Sequence, residues 1–245
     1  MRTPPPLLIA ALTLLLLSAF GGTVWALREI PLPDFAALEV AAKKQRFFDF
    51  LRPHVEQANA NIRLQRARLE VIAEDIEQYP PNWLQRRFLL NLAAEYDLEV
   101  PAEDDYSELT DELLMRVDVV PAALMLIQAA KESAWGTSKF AVMGNNLFGQ
   151  QCFAQGCGYI PTARDSGRRH EVARFDSVDD AVRAYLHNVN THPRYQTMRE
   201  IRAQLRSASD AITGTRLADG LLAYSERRED YVEEVKDMIR QNNLE

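Results

Sequence analysis

Residues 128–136 read QAAKESAWG, a mostly small and apolar stretch that carries one acid, Glu132, just before a Trp-Gly pair. On a helix, residues three and four apart share a face. Leu124, Gln128, Glu132 and Trp135 therefore form one stripe, with Met125 and Ala129 beside it. A carboxyl near a helix C-terminus, on a semi-apolar face and close to an indole, has its pKa raised by desolvation and by the negative end of the helix dipole. A glutamic acid kept protonated near neutral pH is the proton donor that a glycosidic oxygen needs. From spacing alone the alternative stays open: a surface glutamate paired with Lys131 or Lys139.

Other residues capable of chemistry are few. Cys152 and Cys157 lie five apart in QQCFAQGCG, where an oxidising compartment allows a local disulfide. Cys152, Cys157 and His170 could be drawn together as metal ligands, but their spacing matches no zinc pattern. The acidic run from Glu103 to Glu112 matches no calcium loop and reads as a solvated linker. No metal and no cofactor is expected.

These residues need elements to hold them. The 245 residues allow one sizeable domain or two small ones. With 47% apolar and 26% charged residues the chain is globular, and its formal net charge of -7 argues against nucleic acid and against anionic membrane surfaces as partners. Leu7 to Leu27 carries no ionisable residue, and 21 residues at about 1.5 Å each could span a hydrocarbon core of about 30 Å. Gly21-Gly22 interrupts the run and Val24-x-Ala26 has the form of a cleavage site, so residues 1–27 read as a signal peptide or a signal anchor. Arg2 before the run keeps that end in the cytoplasm and exports the rest. The expected location is the periplasm, soluble after cleavage or anchored to the inner membrane, with membrane contact only through residues 7–27.

Residues 28–110 read as a helical N-terminal region. Asp34 is placed to cap a helix that Pro53 ends. A second helix from Pro53 carries Val55, Ala58, Ile62, Leu69, Ile72 and Ile76 at helical spacing, with Gln65 in the missing place. WLQRRFLLNLAAEY is a third. In residues 111–245, VPAALMLIQAAKESAW is a helix opened by Pro121, and MGNNLFGQQCFAQGCG is a loop. GYIP and EVARF form a hairpin or flap around TARDSGRRH. Three more helices follow, the first capped by Ser177 with Asp180, the last by Ser225. The class is mainly α with a small β-hairpin lobe.

AKESAWGTSKF followed by GNNLFG resembles the glucosaminidase signature of glycoside hydrolase family 73, roughly A-Q-A-x-x-E-S-x-W-G-x-S and then N-N-L-F-G. Gln128 through Ser138 and Asn145 through Gly149 carry the match. LHNVNTHPRY looks like the family's N-P-R-Y turn, with His192 where asparagine is usual. YSERREDY looks like its Y-A-T-D-x-x-Y segment, with a longer spacer between Tyr224 and Tyr231. The whole arrangement is similar to the Bax-type members of Gram-negative bacteria, strongly over 118–245 and loosely before that.

The resemblance implies a lysozyme-like α+β catalytic domain that cuts β-1,4 bonds of peptidoglycan glycan strands on the N-acetylglucosamine side. Glu132 is then the general acid. Gln128, Trp135, Asn146 and Phe148 would bind substrate or shape the cleft, and Tyr224 would face the reacting sugar. A second carboxylate in the flap would be Glu171, with Asp165 as runner-up. The competing readings are a muramidase or lytic transglycosylase, and a non-catalytic peptidoglycan-binding envelope scaffold whose helical half contacts a protein partner.

Overall fold

Val40–Ile76 form one continuous helix of 37 residues, α1, with Pro53 inside it. The expected break at Pro53 is therefore corrected. An interior proline removes one backbone hydrogen bond and costs about 3 kcal/mol. Phe47, Phe48, Leu51, Val55 and Ala58 around it are all buried. A fully buried large side chain contributes about 1.5–3 kcal/mol, so several together outweigh the one lost bond. Asp34 does not cap this helix either: its carboxylate accepts the Ala36 N–H at 3.0 Å, making a turn ahead of the helix start.

The computed structural model describes residues 31–100, 105–161, 169–222 and 228–245. Residues 1–30, with the apolar run, and Tyr224, Ser225 and Asp165 lie outside them. Among the described residues no helix is long and apolar enough to cross a membrane.

After α1 come α2 (Trp83–Glu95), α3 (Ser107–Arg116) and α4 (Ala122–Glu132). Asn82 and Gln85 close a capping box at the start of α2. The polar Gln65 in the apolar stripe of α1 has a task, since its amide donates to both Glu95 oxygens at 3.0 and 2.9 Å and its oxygen accepts from Tyr96 at 3.2 Å. The acidic stretch expected to be a linker is helical from Ser107, and that helix, α3, packs on α1. Residues 101–104 lie outside the described set.

Ala123 to Ala130 of α4 are all buried, as in a helix surrounded by others, and α4 packs on α1 and on two later helices. Then follow α5 (Lys139–Gly144) and three short strands, β1 (Gln151–Cys152), β2 (Gly158–Tyr159) and β3 (Glu171–Ala173). The sheet is antiparallel in the order β1-β3-β2. The expected pairing of GYIP with EVARF is present, and β1 adds a strand where a loop was expected. The chain ends with α6 (Val178–Thr191), a 3-10 turn (Pro193–Tyr195), α7 (Gln196–Ser207), α8 (Gly214–Ala218), a second 3-10 turn (Asp219–Leu221) and α9 (Arg228–Gln241). A mainly α, lysozyme-like α+β architecture with a small β lobe is what these elements make.

Pro33–Glu245 form one compact unit. A buried ionic hub joins α1 to the segment before α4. Asp118 is 2% exposed, Arg206 donates to both its oxygens, and Arg66 of α1 lies 3.3 Å away. Arg202, itself 1% exposed, donates to the Asp118 and Val119 carbonyls at 3.0 and 3.1 Å and to Asn190 at 2.8 Å. Burial alone would raise the Asp118 pKa; the Arg206 hydrogen bond and the charges of Arg202, Arg66 and Arg206 win and hold it below the usual carboxylate range.

Candidate active site

α4 stops at Glu132 because the chain turns left-handed directly after it. Ala134, Trp135 and Gly136 have φ of 50°, 59° and 76°. Ser133 holds this turn: its hydroxyl donates to the Ala129 carbonyl at 2.6 Å and accepts the Gly136 N–H at 2.8 Å. The Trp135 N–H returns to the Ala130 carbonyl at 2.8 Å. Left-handed non-glycine residues cost about 1–2 kcal/mol each, so the surroundings must over-determine them. The indole of Trp135 supplies that restraint. It meets Phe47 and Phe48 of α1 edge-on, with centroids 5.9 and 5.3 Å away, under the Lys44 ammonium at 5.1 Å.

The helical stripe expected to run from Gln128 through Glu132 to Trp135 therefore ends at Glu132. Trp135 joins the end of α4 to α1, while Glu132 stays half-buried at the helix lip. Lys131, the sequence neighbour offered as its ion-pair partner, bonds Glu234 of α9 at 2.5 Å.

The GNNLFG segment reaches Glu132 from the other side. Ser138 caps α5, and Asn145, at φ 51°, closes it with its amide on the Phe175 and Asp176 carbonyls. The Asn146 amide nitrogen donates to the Gln150 and Ala173 carbonyls, both at 2.8 Å, and its oxygen accepts the Gln150 N–H at 2.9 Å. Gly149 is thereby fixed at φ 64° against the acid: a Cβ there would lie 3.1 Å from the Glu132 Oε2. Glycine at this position answers both the backbone angle and the close approach.

Three phenols complete the surroundings. Tyr185 of α6 donates a short hydrogen bond to the Gln128 oxygen, and its ring stacks on Phe148 at 4.2 Å and 21°. Lys131 sits 5.1 Å over the Tyr231 ring of α9. Burial raises the pKa values of Tyr185, Tyr195 and Tyr231, and in each the negative charge of Glu132 adds to the rise. These groups remain protonated at neutral pH.

Gln128, Asn146 and Phe148, expected to bind substrate or shape the cleft, are 0%, 1% and 3% exposed. They lie beneath the site surface: Gln128 accepts from Tyr185, Asn146 fastens the loop, and Phe148 packs on Tyr185. Tyr185 was absent from the expected site residues. Its only signal in the sequence is its place on the apolar face Val178, Val182, Tyr185, Val189 of α6, where it reads as ordinary core.

Glu171 is placed in the β lobe with a different task. Its two oxygens accept the Gly156 N–H at 3.0 Å and the Gly158 N–H at 2.8 Å, and its side chain is buried. A disulfide joins Cys152 to Cys157 across the same loop. Glu171, expected as the second catalytic carboxylate, clamps the loop between β1 and β2. Cys152, Cys157 and Glu171 offer ligand atoms within 4.8 Å of one another. As a disulfide, however, the sulfurs are not the thiolates a metal would need. Tyr224 lies outside the described residues.

Residues 108–244 match the glucosaminidase family, described as mannosyl-glycoprotein endo-beta-N-acetylglucosaminidase. The chain is 34% identical over 191 residues to the protein Bax of Escherichia coli, covering 77% of this chain and 66% of that relative. It thus spans just under two thirds of the length of the curated relative. No solved structure matches. From Glu108 to Leu244, across the helix that ends in Glu132 and the loop that meets it, the chain belongs to the glucosaminidase family.

Proposed function

We propose that this protein is an exported glycoside hydrolase of peptidoglycan that cleaves β-1,4 bonds on the N-acetylglucosamine side, with Glu132 as general acid. The observation that carries this reading is the setting of Glu132. It stands at the negative end of α4, against the bare backbone of Gly149 and among three phenols that stay neutral. The negative end of a helix and partial burial both act against the carboxylate and toward the acid that protonates a leaving oxygen. Membership of the glucosaminidase family supports a glycan as substrate. Export rests on the apolar run of residues 7–27.

A second carboxylate is not essential to the chemistry. An N-acetylated sugar can use its own acetamido oxygen as nucleophile, with one protein acid protonating the leaving group. The engagement of Glu171 by two backbone amides favours that route. The same single acid also serves a lytic enzyme, in which a sugar hydroxyl closes an anhydro ring. Products separate the two. Digestion of purified peptidoglycan, read by mass spectrometry, is expected to release fragments with reducing N-acetylglucosamine ends. Fragments ending in muramic acid or its anhydro form would instead identify a muramidase or a lytic enzyme.

A further inference from the structure

Gln128, Asn146, Leu147 and Phe148 of the motif are buried, and exposed surface continues from Gly149 along the strand that leaves the site. Gly149, Gln151 and Phe153 are exposed in turn along Gly149–Phe153, and Phe153 is 76% exposed. Phe153 lies four positions after Gly149, which meets Glu132, so the two Cα atoms lie within about 14 Å of each other.

An exposed phenylalanine on a mobile loop means little, but this loop is braced three ways. The disulfide ties Cys152, which precedes Phe153, to Cys157. The Cys157 N–H bonds the Ala154 carbonyl at 3.2 Å, closing a turn inside the ring. Glu171, 7% exposed, accepts from Gly156 and Gly158. Gly158 lets β2 lie against β3, since a Cβ there would fall 1.9 Å from the Val172 carbonyl oxygen. A crosslink and a buried carboxylate are thus committed to fixing a short loop whose largest side chain faces water. Holding an aromatic ring rigidly in its bound position reduces the ordering cost of binding.

We propose that Phe153 is a sugar-stacking platform at the rim of the Glu132 site. The apolar face of a ring further along the same glycan strand packs on the phenyl ring while Glu132 acts on a bond nearer Gly149. The inference rests on the glycan-hydrolase reading above and adds a subsite to it. The occupant follows from continuity with the acid: a polymer engaged at Glu132 must continue past it, and the flat C–H face of a pyranose matches an aromatic face. Glu171, Cys152 and Cys157 then become positioning residues for that contact.

The test uses the full chain with Phe153→Ala and Phe153→Trp, each checked by its thermal unfolding midpoint. Both act on intact peptidoglycan and on the shortest oligosaccharide that the wild type cleaves. For Phe153→Ala, KM on the polymer is expected to rise about five- to tenfold, with kcat unchanged and the short substrate unaffected. Phe153→Trp should restore the wild-type KM. An equal loss on both substrates, or no change on the polymer, would overturn the platform.

Cosedimentation with insoluble peptidoglycan keeps this separate from the hydrolase reading. If the wild type cleaves no glycan, that reading fails by itself. The platform then requires that the wild type cosediment and that Phe153→Ala be released; any other binding result overturns it too.

Discussion

Two glutamates of one domain, Glu132 and Glu171, sit in contrasting settings. Glu132 ends a buried helix, half-exposed, with neutral phenols and a glycine backbone for neighbours. Glu171 lies inside a three-stranded sheet with both oxygens accepting backbone N–H groups. A carboxyl that receives such donors is stabilised as the anion, while the negative end of a helix works against the charged form. The contrast teaches that a carboxylate's role is set by which of its forms the surroundings solvate. Residue type and proximity in sequence to a motif do not decide it.

The largest effect that sharpens this comparison belongs to Glu132→Gln. Loss of the proton donor should lower kcat on peptidoglycan by about 10²–10⁴-fold, with the unfolding midpoint unchanged. Next comes Gly149→Ala. The added methyl group meets the Glu132 carboxyl at a φ of 64°, so the acid or the loop must move. A misplacement of that kind costs about a hundredfold in kcat, read by the same assay. Tyr185→Phe removes only the hydroxyl bonded to Gln128 and keeps the stack on Phe148. About a tenfold fall in kcat with KM unchanged is expected; a change in KM alone would show that Tyr185 meets substrate directly.

The smallest effect on activity is expected from the hub that fastens α1 to the rest. Because the Asp118 pKa is lowered on folding, its contribution to stability is complete above the ordinary carboxylate value of about 3.9 and is lost as pH falls through the lower folded value. Acid unfolding followed by circular dichroism should show this: Asp118→Asn should lower stability at pH 7 by about 3–5 kcal/mol and narrow the gap between pH 7 and pH 3. Its kcat at 25 °C should stay near the wild-type value.

Much of this was legible in the sequence where local rules operate. The acid at the end of α4, the Ser177 cap and the pairing of GYIP with EVARF all depend on short-range spacing. What escaped depends on distant partners. Pro53 was expected to end a helix, but the burial of Phe47, Leu51 and Val55 carries α1 through it. Trp135 reads as one more residue of a helical stripe until three left-handed φ values turn it toward α1. Tyr185 is indistinguishable from core without knowing that Gln128 lies opposite, 57 residues away in sequence. Glu171 reads as a flap acid because its amide partners, Gly156 and Gly158, come from the other arm of the β lobe.

The most direct test of the central claim is a side-by-side digest of purified peptidoglycan by Glu132→Gln and Glu171→Gln, with soluble fragments quantified by mass spectrometry and folding checked by thermal unfolding. The account predicts no fragments above background from a fully folded Glu132→Gln. It predicts the wild-type set of fragments, at a rate within a few fold, from a less stable Glu171→Gln. Turnover by folded Glu132→Gln, or its loss in folded Glu171→Gln, would contradict the assignment of the acid to the end of α4.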